Sequence, residues 1–468
     1  MNYFSLIYLS FFLLLISILS FFNVIYSYYF NLYLNISSYV FSLIVSFILG
    51  LLFFFKKKKN TKILIYQKIL TVIFGYLILP FFISIPFYFS IYNISFLDAY
   101  FEAVSGFTST GFTIFENIKH LDESLILWRS TSQWIGGLYF LFSIVLLIDI
   151  FDNNLKKSLS HFFSFDKTET IKQYFKIFTI YLLLTFLIFI ILNFFDFRSF
   201  ISFNLSMTLI SSGGFLPINN LSTILNSQTK EIIFSILMLS SFFSIFLGYN
   251  LLFLKKKNIN FFQEDIYLAF YLLLLLIIFF IFLNNDYSFS VILLSLISSM
   301  SNIGVSLDDT PKNFSFIFLL LVIIGGSFFS TSSGIRIIKL LTLFKFSINN
   351  LISHVRPKNV FINRHLFSDS TYGNNEVNKY FLSIIIFIFS LFLLTSLLTF
   401  SDITMESSFK LAILTIMNTV NSPMYGLTDF NFEQLNILTK YYLIIFMIIG
   451  RVELLTLLII FKKYLFKN

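Results

Sequence analysis

The chain has 468 residues, 57% of them hydrophobic and only 12% charged, with a mean hydropathy of +0.87, which excludes an ordinary soluble domain. The absence of cysteine excludes disulfides, thiolate metal sites and cysteine nucleophiles. The formal net charge of +9 does not point to nucleic acid, because the lysines stand in short runs directly after apolar stretches, where topology signals fall.

The first apolar stretch, 4–22, has no basic segment before it and no small-x-small cleavage site after it, so it reads as a retained span rather than a signal peptide. A hydrocarbon core about 30 Å thick takes roughly 20 apolar residues per helix. That length predicts about ten crossings, at 4–27, 37–55, 66–91, 124–150, 173–194, 230–254, 264–284, 313–345, 379–400 and 438–461. Basic clusters follow at Lys56 to Lys59 with Lys62, at Lys156 and Lys157, at Lys255 to Lys257, from Lys345 to Arg364, and at Lys462, Lys463 and Lys467. With these spans all of them fall on one side, which the positive-inside rule makes cytoplasmic together with both termini.

Between the third and fourth spans, and again between the fifth and sixth, seventh and eighth, and ninth and tenth, lies an apolar stretch too short to cross. Each ends in small, hydroxyl or glycine residues: Val104-Ser-Gly-Phe-Thr-Ser-Thr-Gly111, Leu209-Ile-Ser-Ser-Gly-Gly214, Met300-Ser-Asn-Ile-Gly304 and Asn418-Thr-Val-Asn-Ser422. Such runs also serve as helix-packing surfaces, but four in register on one side form an internal repeat. The expected fold is therefore an all-α integral membrane bundle of four helix, pore-loop, helix repeats with pseudo-fourfold symmetry around one ion path. A two-span hairpin at 1–62 precedes repeats at 63–160, 161–258, 259–370 and 371–468.

Non-helical backbone at membrane depth must be buried in protein or line water. Four such loops meeting on an axis can present a ring of carbonyls that replaces a cation's hydration shell. The short helix before each loop adds the negative end of its dipole. Both devices favour a cation without any acidic side chain in the loop.

Five segments carry a resemblance over nearly the whole chain: Asp98-Ala-Tyr-Phe-Glu-Ala-Val-Ser-Gly-Phe-Thr-Ser-Thr-Gly-Phe-Thr113, Leu127-Trp-Arg-Ser-Thr-Ser-Gln-Trp-Ile-Gly-Gly137, Ser211-Ser-Gly-Gly-Phe215, Gly325-Gly-Ser-Phe-Phe-Ser-Thr-Ser-Ser-Gly-Ile-Arg336 and Gly450-Arg-Val-Glu-Leu-Leu-Thr456. In order and spacing the chain resembles the Trk/Ktr/HKT superfamily of potassium transporters, and its two extra N-terminal spans resemble the Trk branch.

The resemblance implies K⁺ uptake across the cytoplasmic (inner) membrane of a bacterium, with potassium as the transported ion and no other cofactor. It places filter carbonyls at Ser109 and Thr110, Ser211 and Ser212, Asn302 and Ile303, and Thr419 and Val420. Its marker glycines are Gly111, Gly213 and Gly304, and Asn421 stands where the fourth glycine is expected. Gly111 is what potassium-selective members carry; Asn421 makes a sodium-permeable or cation-coupled transporter the alternative. The stretch 325–334, with Gly325, Gly326, Ser327, Ser332, Ser333 and Gly334, is implied to be a mobile gating loop within the eighth span. Arg451 is implied to project into the ion path beside it, with Glu453 as a candidate partner. Members pair as homodimers and dock on a cytoplasmic, nucleotide-binding (TrkA-like) regulatory ring.

Other chemistry is set aside. His120, His161, His354 and His365 stand in predicted loops without metal-ligand spacing. Asp308 and Asp309 are expected in an outer vestibule, where their charge concentrates cations. Asp98 is expected to cap or orient the first short helix, with Ser95 as the other N-cap candidate. A lipid-linked transferase needs clustered Asp, Glu, His or Lys at the membrane face beyond this pair. A coupled carrier usually places ionisable residues in several spans, whereas Arg451 and Glu453 share one. The chain is therefore read as a transporter and not an enzyme.

Overall fold

The computed structural model describes residues 3–56, 65–151, 170–253, 263–283, 286–353, 374–427 and 430–452. Apart from Lys56 and Lys345, the basic clusters lie outside these residues, as do Glu453, His161, His354 and His365. Every regular element among the described residues is helical. Among the described residues, seven helices are long and apolar enough to cross a membrane, covering the predicted spans one to five, seven and nine.

The hairpin consists of α1 (Tyr3–Tyr29) and α2 (Ile36–Phe55). Small and hydroxylic residues let the two helices approach. Ser10 Oγ donates to the Gly50 carbonyl at 2.8 Å, and Ser20 Oγ to Ser42 Oγ at 3.2 Å. The hairpin is pinned to the first repeat at one end, where Asn35 Nδ2 donates to Asp122 Oδ2 (2.7 Å) and Tyr26 Oη to Glu123 Oε2 (2.8 Å).

The four repeats share one order. Repeat 1 runs α3 (Ile65–Tyr88), α4 (Phe96–Phe107) and α5 (Glu123–Phe151). Repeat 2 runs α6 (Thr170–Phe194), α7 (Ser199–Ile210), then α8 (Gln228–Phe242) and α9 (Ile245–Phe253). Repeat 3 runs α10 (Gln263–Leu283), α11 (Phe289–Met300), then α12 (Ser315–Ile324) and α13 (Ile337–Ser353). Repeat 4 runs α14 (Asn374–Thr399), α15 (Met405–Ile416) and α16 (Ile437–Val452).

The pore helices α4, α7, α11 and α15 have 12 residues each. At 1.5 Å per residue they are about 18 Å long, too short to cross. Ser95 caps α4 by accepting from the Asp98 amide (3.2 Å). Asp98 Oδ2 accepts from Ser95 Oγ (2.7 Å), while its Oδ1 takes Lys440 Nζ of α16 at 2.5 Å.

The second helix of each repeat packs on the pore helix of the next: α5 on α7, α8 on α11, α12 on α15, and α16 back on α4. This closes a ring of four in which repeats 1 and 3, and repeats 2 and 4, stand opposite one another. In repeats 1 and 4 a glycine also lets the second helix approach the pore helix of its own repeat. A Cβ on Gly136 would lie 1.9 Å from the carbonyl oxygen of Phe107 at the end of α4, and one on Gly450 would lie 2.1 Å from that of Ile416 at the end of α15. The lipid-facing surface carries exposed apolar residues such as Phe270, Leu274, Ile277 and Ile281 on α10, whereas the membrane-crossing length of α5 is enclosed by protein.

The sixth and eighth spans are discontinuous. The eighth breaks at 325–336, where the sequence places the interruption. The sixth also breaks, at Phe243 and Ser244, although neither Gly nor Pro marks the place. The donors exposed there are satisfied by tertiary partners: the Ser244 amide reaches Asp265 Oδ1 (3.0 Å) and the Ile245 amide reaches the Phe329 carbonyl (3.2 Å).

Candidate ion path

All four pore helices end alike. The residue after each C-cap enters the left-handed region: Ser109 (φ 56°), Ser212 (φ 56°), Asn302 (φ 60°) and Asn418 (φ 50°). The amide of each bonds back three residues, to Gly106, Leu209, Ser299 and Thr415 respectively. Asparagine is among the non-glycine residues that visit this conformation most readily; at Ser109 and Ser212 the turn is held by the amide bonds back to Gly106 and Leu209.

This shared turn aligns the loops. Thr110, Gly213, Ile303 and Thr419 are equivalent, and so are Gly111, Gly214, Gly304 and Val420. The register differs from the sequence reading in two repeats. In repeat 2 the counterpart of Gly111 is Gly214, not Gly213, and Ser211 caps α7 one residue earlier. In repeat 4 the counterpart is Val420. Asn421 lies one residue beyond, with its Oδ1 buried and without a hydrogen-bond partner among the described residues. The reason is geometric: the end of the pore helix sets the register, and a glycine counted along the chain does not report where that helix ends.

The backbone at the glycine level alternates around the ring. Gly111 (φ 80°) and Gly304 (φ 77°) hold the conformation that side chains rarely adopt; Gly214 and Val420 do not. A β-branched residue is therefore compatible with the fourth loop.

Side chains stitch neighbouring loops together. Ser212 Oγ donates to the Ser301 carbonyl (2.6 Å), Asn302 Nδ2 to Thr419 Oγ1 (3.2 Å) and Asn418 Nδ2 to Thr110 Oγ1 (3.0 Å). Repeats 1 and 2 meet through backbone, a Cβ on Gly111 falling 3.3 Å from the Gly214 nitrogen. Behind the first loop a buried ion pair sets its exit. Glu102 Oε1 accepts from Arg129 Nε (2.9 Å) and its Oε2 from the Ile114 amide (2.9 Å), while Arg129 Nη2 donates to Thr113 Oγ1 (2.9 Å). Both residues stand in the segments that carry the resemblance, but nothing in the sequence shows that they pair.

Beyond the pore-helix C-termini, the segment 325–336 folds as a compact loop. Its neck is formed by Gly325 and Gly334, which pack so closely that a Cβ on either would fall within 2.9 Å of the other's backbone. Repeat 2 holds one side: the Ser327 amide donates to the Phe242 carbonyl (2.9 Å), the Ser332 amide to that of Ser241 (3.2 Å) and Thr331 Oγ1 to that of Ile210 (2.7 Å). Inside the loop, Gly326 donates its amide to Ser332 Oγ (3.0 Å) and Arg336 Nη1 donates to the Ser327 carbonyl (2.6 Å). Ser333 Oγ donates to Asn418 Oδ1 at the end of repeat 4 (3.4 Å).

Arg451 ties this loop to its neighbours. It is 2% exposed, and its Nη1 donates to the Thr331 carbonyl and to Ser333 Oγ, both at 2.8 Å. Its Nη2 reaches the Ser211 carbonyl (3.5 Å), and its guanidinium lies 4.3 Å from the Phe140 ring centre. A residue of repeat 4 thus touches repeats 1, 2 and 3, which places it centrally in the ring. The other polar residues singled out lie elsewhere. Asp308 and Asp309 are exposed, and Asp308 accepts from Ser222 Oγ in the preceding repeat.

Four re-entrant loops in a closed ring, with a broken helix beneath them, give the chain the fold of a multi-pass membrane protein of the four-pore-loop type. The comparisons narrow this. No family model matches the chain. It is similar to an uncharacterized cation transporter of Methanocaldococcus jannaschii, 26% identical over 440 residues covering 88% of this chain and 85% of that protein. It is similar to the Trk system potassium uptake protein TrkH of Escherichia coli K12, 24% identical over 413 residues and 81% of each chain. The crystal structure of the potassium transporter TrkH from Vibrio parahaemolyticus matches with a TM-score of 0.84 over 98% of both chains, at 21% identity. In sequence and in fold the chain is TrkH-like, as the motifs imply.

Proposed function

We propose that this chain takes up potassium ions through the ring of pore loops, with the loop at 325–336 and Arg451 as its gate. The observation that carries the reading is the convergence of four pore-helix C-termini on one closed ring of left-handed turns. Each helix directs the negative end of its dipole there, and in this reading the loop carbonyls replace the hydration shell of a dehydrated cation. The relatives add support, being potassium uptake and cation transport proteins by name. The filter set is Ser109, Thr110 and Gly111; Ser212, Gly213 and Gly214; Asn302, Ile303 and Gly304; and Asn418, Thr419 and Val420. No covalent chemistry is involved.

The chain sits in the cytoplasmic membrane with both termini inside. It pairs as a homodimer and docks on a cytoplasmic nucleotide-binding ring through the basic loop from Lys345 to Arg364 and the C-terminal tail. Co-purification with a soluble ring protein supports the docking, and unchanged activity after neutralising those basic residues counts against it.

The transport reading is tested by rubidium, potassium and sodium uptake in a bacterial strain lacking its own potassium uptake. The expected result is potassium-dependent rescue that Gly111→Ser weakens. A left-handed backbone costs a non-glycine residue about 1–2 kcal/mol, and a Cβ at this position would lie 2.1 Å from Val420 Cγ2. A well-inserted chain that carries no monovalent cation, with its regulatory partner present, refutes the reading.

A further inference from the structure

The fourth repeat brings a side chain to the glycine level of the path. A Cβ on Gly111 would lie 2.1 Å from Val420 Cγ2, and one on Gly214 would lie 1.9 Å from the same methyl. A Cβ on Gly304 would meet the Val420 carbonyl oxygen and nitrogen, at 2.8 and 2.9 Å. Val420 therefore contacts the equivalent residue of every other repeat, including Gly214 in the repeat opposite its own. A residue on a ring of four reaches its opposite member only across the middle.

We propose that Val420 is a side-chain wedge in the ion path, setting both the rate and the ion preference of this chain. The inference rests on the transport reading above and names the residue that tunes it. All four loops keep their carbonyls, but the Val420 methyl supplies no oxygen and occupies space between the loops, so a cation at this level is held away from part of the ring. Discrimination between K⁺ and Na⁺ depends on the number and field strength of those ligands. Carbonyls kept out of reach weaken the preference for the larger, more easily dehydrated ion, and the methyl must move aside for each passage. The local backbone permits the wedge, since Val420 does not take the positive φ of Gly111 and Gly304. The glycines at 111 and 214 leave the space it fills. Valine is partly exposed here, as a residue facing a water-filled path would be.

The test compares rubidium uptake, and its inhibition by sodium, for the native chain, Val420→Ala and Val420→Ile in the uptake-deficient strain with the regulatory partner present. Membrane insertion and monodispersity are checked for each. Alanine keeps the backbone free of strain while removing both methyls. It is expected to raise the rate about tenfold, equivalent to a barrier lower by about 1.4 kcal/mol, and to weaken inhibition by sodium. Isoleucine, with an added methylene, is expected to slow uptake by a similar factor. If the native chain transports and both inserted variants match it in rate and sodium inhibition, the wedge is refuted while the transport reading stands. If neither the native chain nor any variant transports, the transport reading falls and the wedge falls with it. Transport restored by alanine to an otherwise inactive chain supports both.

Discussion

Removing Arg451 tests whether the loop at 325–336 is held shut by that side chain. Its two short bonds to Thr331 O and Ser333 Oγ are both 2.8 Å and charge-assisted. Hydrogen bonds to a charged group contribute about 1.5–3 kcal/mol each. Taking the lower value, Arg451→Ala shifts the closed state by about 3 kcal/mol, or roughly 100-fold in the closed-to-open ratio. Arg451→Gln keeps one amide donor and is expected to lose about half of that, roughly tenfold. Removing a buried charge also relieves a cost of about 2.5–3.5 kcal/mol at membrane depth, so the variants are expected to fold. The assay is rubidium flux into proteoliposomes holding the purified chain without a regulatory partner. Leak should rise in the order native, Gln, Ala. Equal flux from all three, with size-exclusion profiles unchanged, refutes the idea that these bonds close the path.

The buried pair of Glu102 and Arg129 leads to a stability prediction. Neutralising either residue as Gln leaves the other charge uncompensated and is expected to cost about 3–5 kcal/mol. The double variant should lose less than the sum of the two singles; thermal unfolding of the purified protein measures this, and strictly additive losses would contradict the coupling. Packing of the second helices on the pore helices is tested with glycine variants. Gly136→Ala and Gly450→Ala force a Cβ into the backbone oxygens of Phe107 and Ile416, and both should lose transport or monodispersity. Gly248→Ala meets only the Leu184 side chain, at 3.3 Å and beyond, and is expected to fold normally. Tolerance of all three would show that the pore helices shift freely.

Architecture was legible in the chain because the bilayer imposes it. Apolar length marks the spans, as in 173–194, and stretches too short to cross mark the pore helices at a repeating distance. The interruption at 325–336 was legible because glycine and serine crowd there, and Arg451 because a charge inside a span demands partners. Which partners it finds was not legible: the carbonyls of Thr331 and Ser211 come from two other repeats, and chain distance says nothing about them. The break at Phe243 and Ser244 carries no Gly or Pro, because its exposed amides are satisfied by Asp265 and Phe329 from the next repeat. The pairing of Glu102 with Arg129 likewise needs α4 laid against α5.

The loop register shows where local sequence stops. The amino acids announce four small-residue turns, and they do so because left-handed backbone tolerates only a few residue types. The position of each turn, however, is set by where its pore helix ends. That end depends on contacts such as Gly136 against Phe107 and Gly450 against Ile416. Counting glycines therefore placed Gly213 and Asn421 at a level that the folded ring gives to Gly214 and Val420. A one-residue shift decides whether the fourth repeat brings an amide beside the path or a methyl into it, and only the packing of all four repeats on one axis settles that.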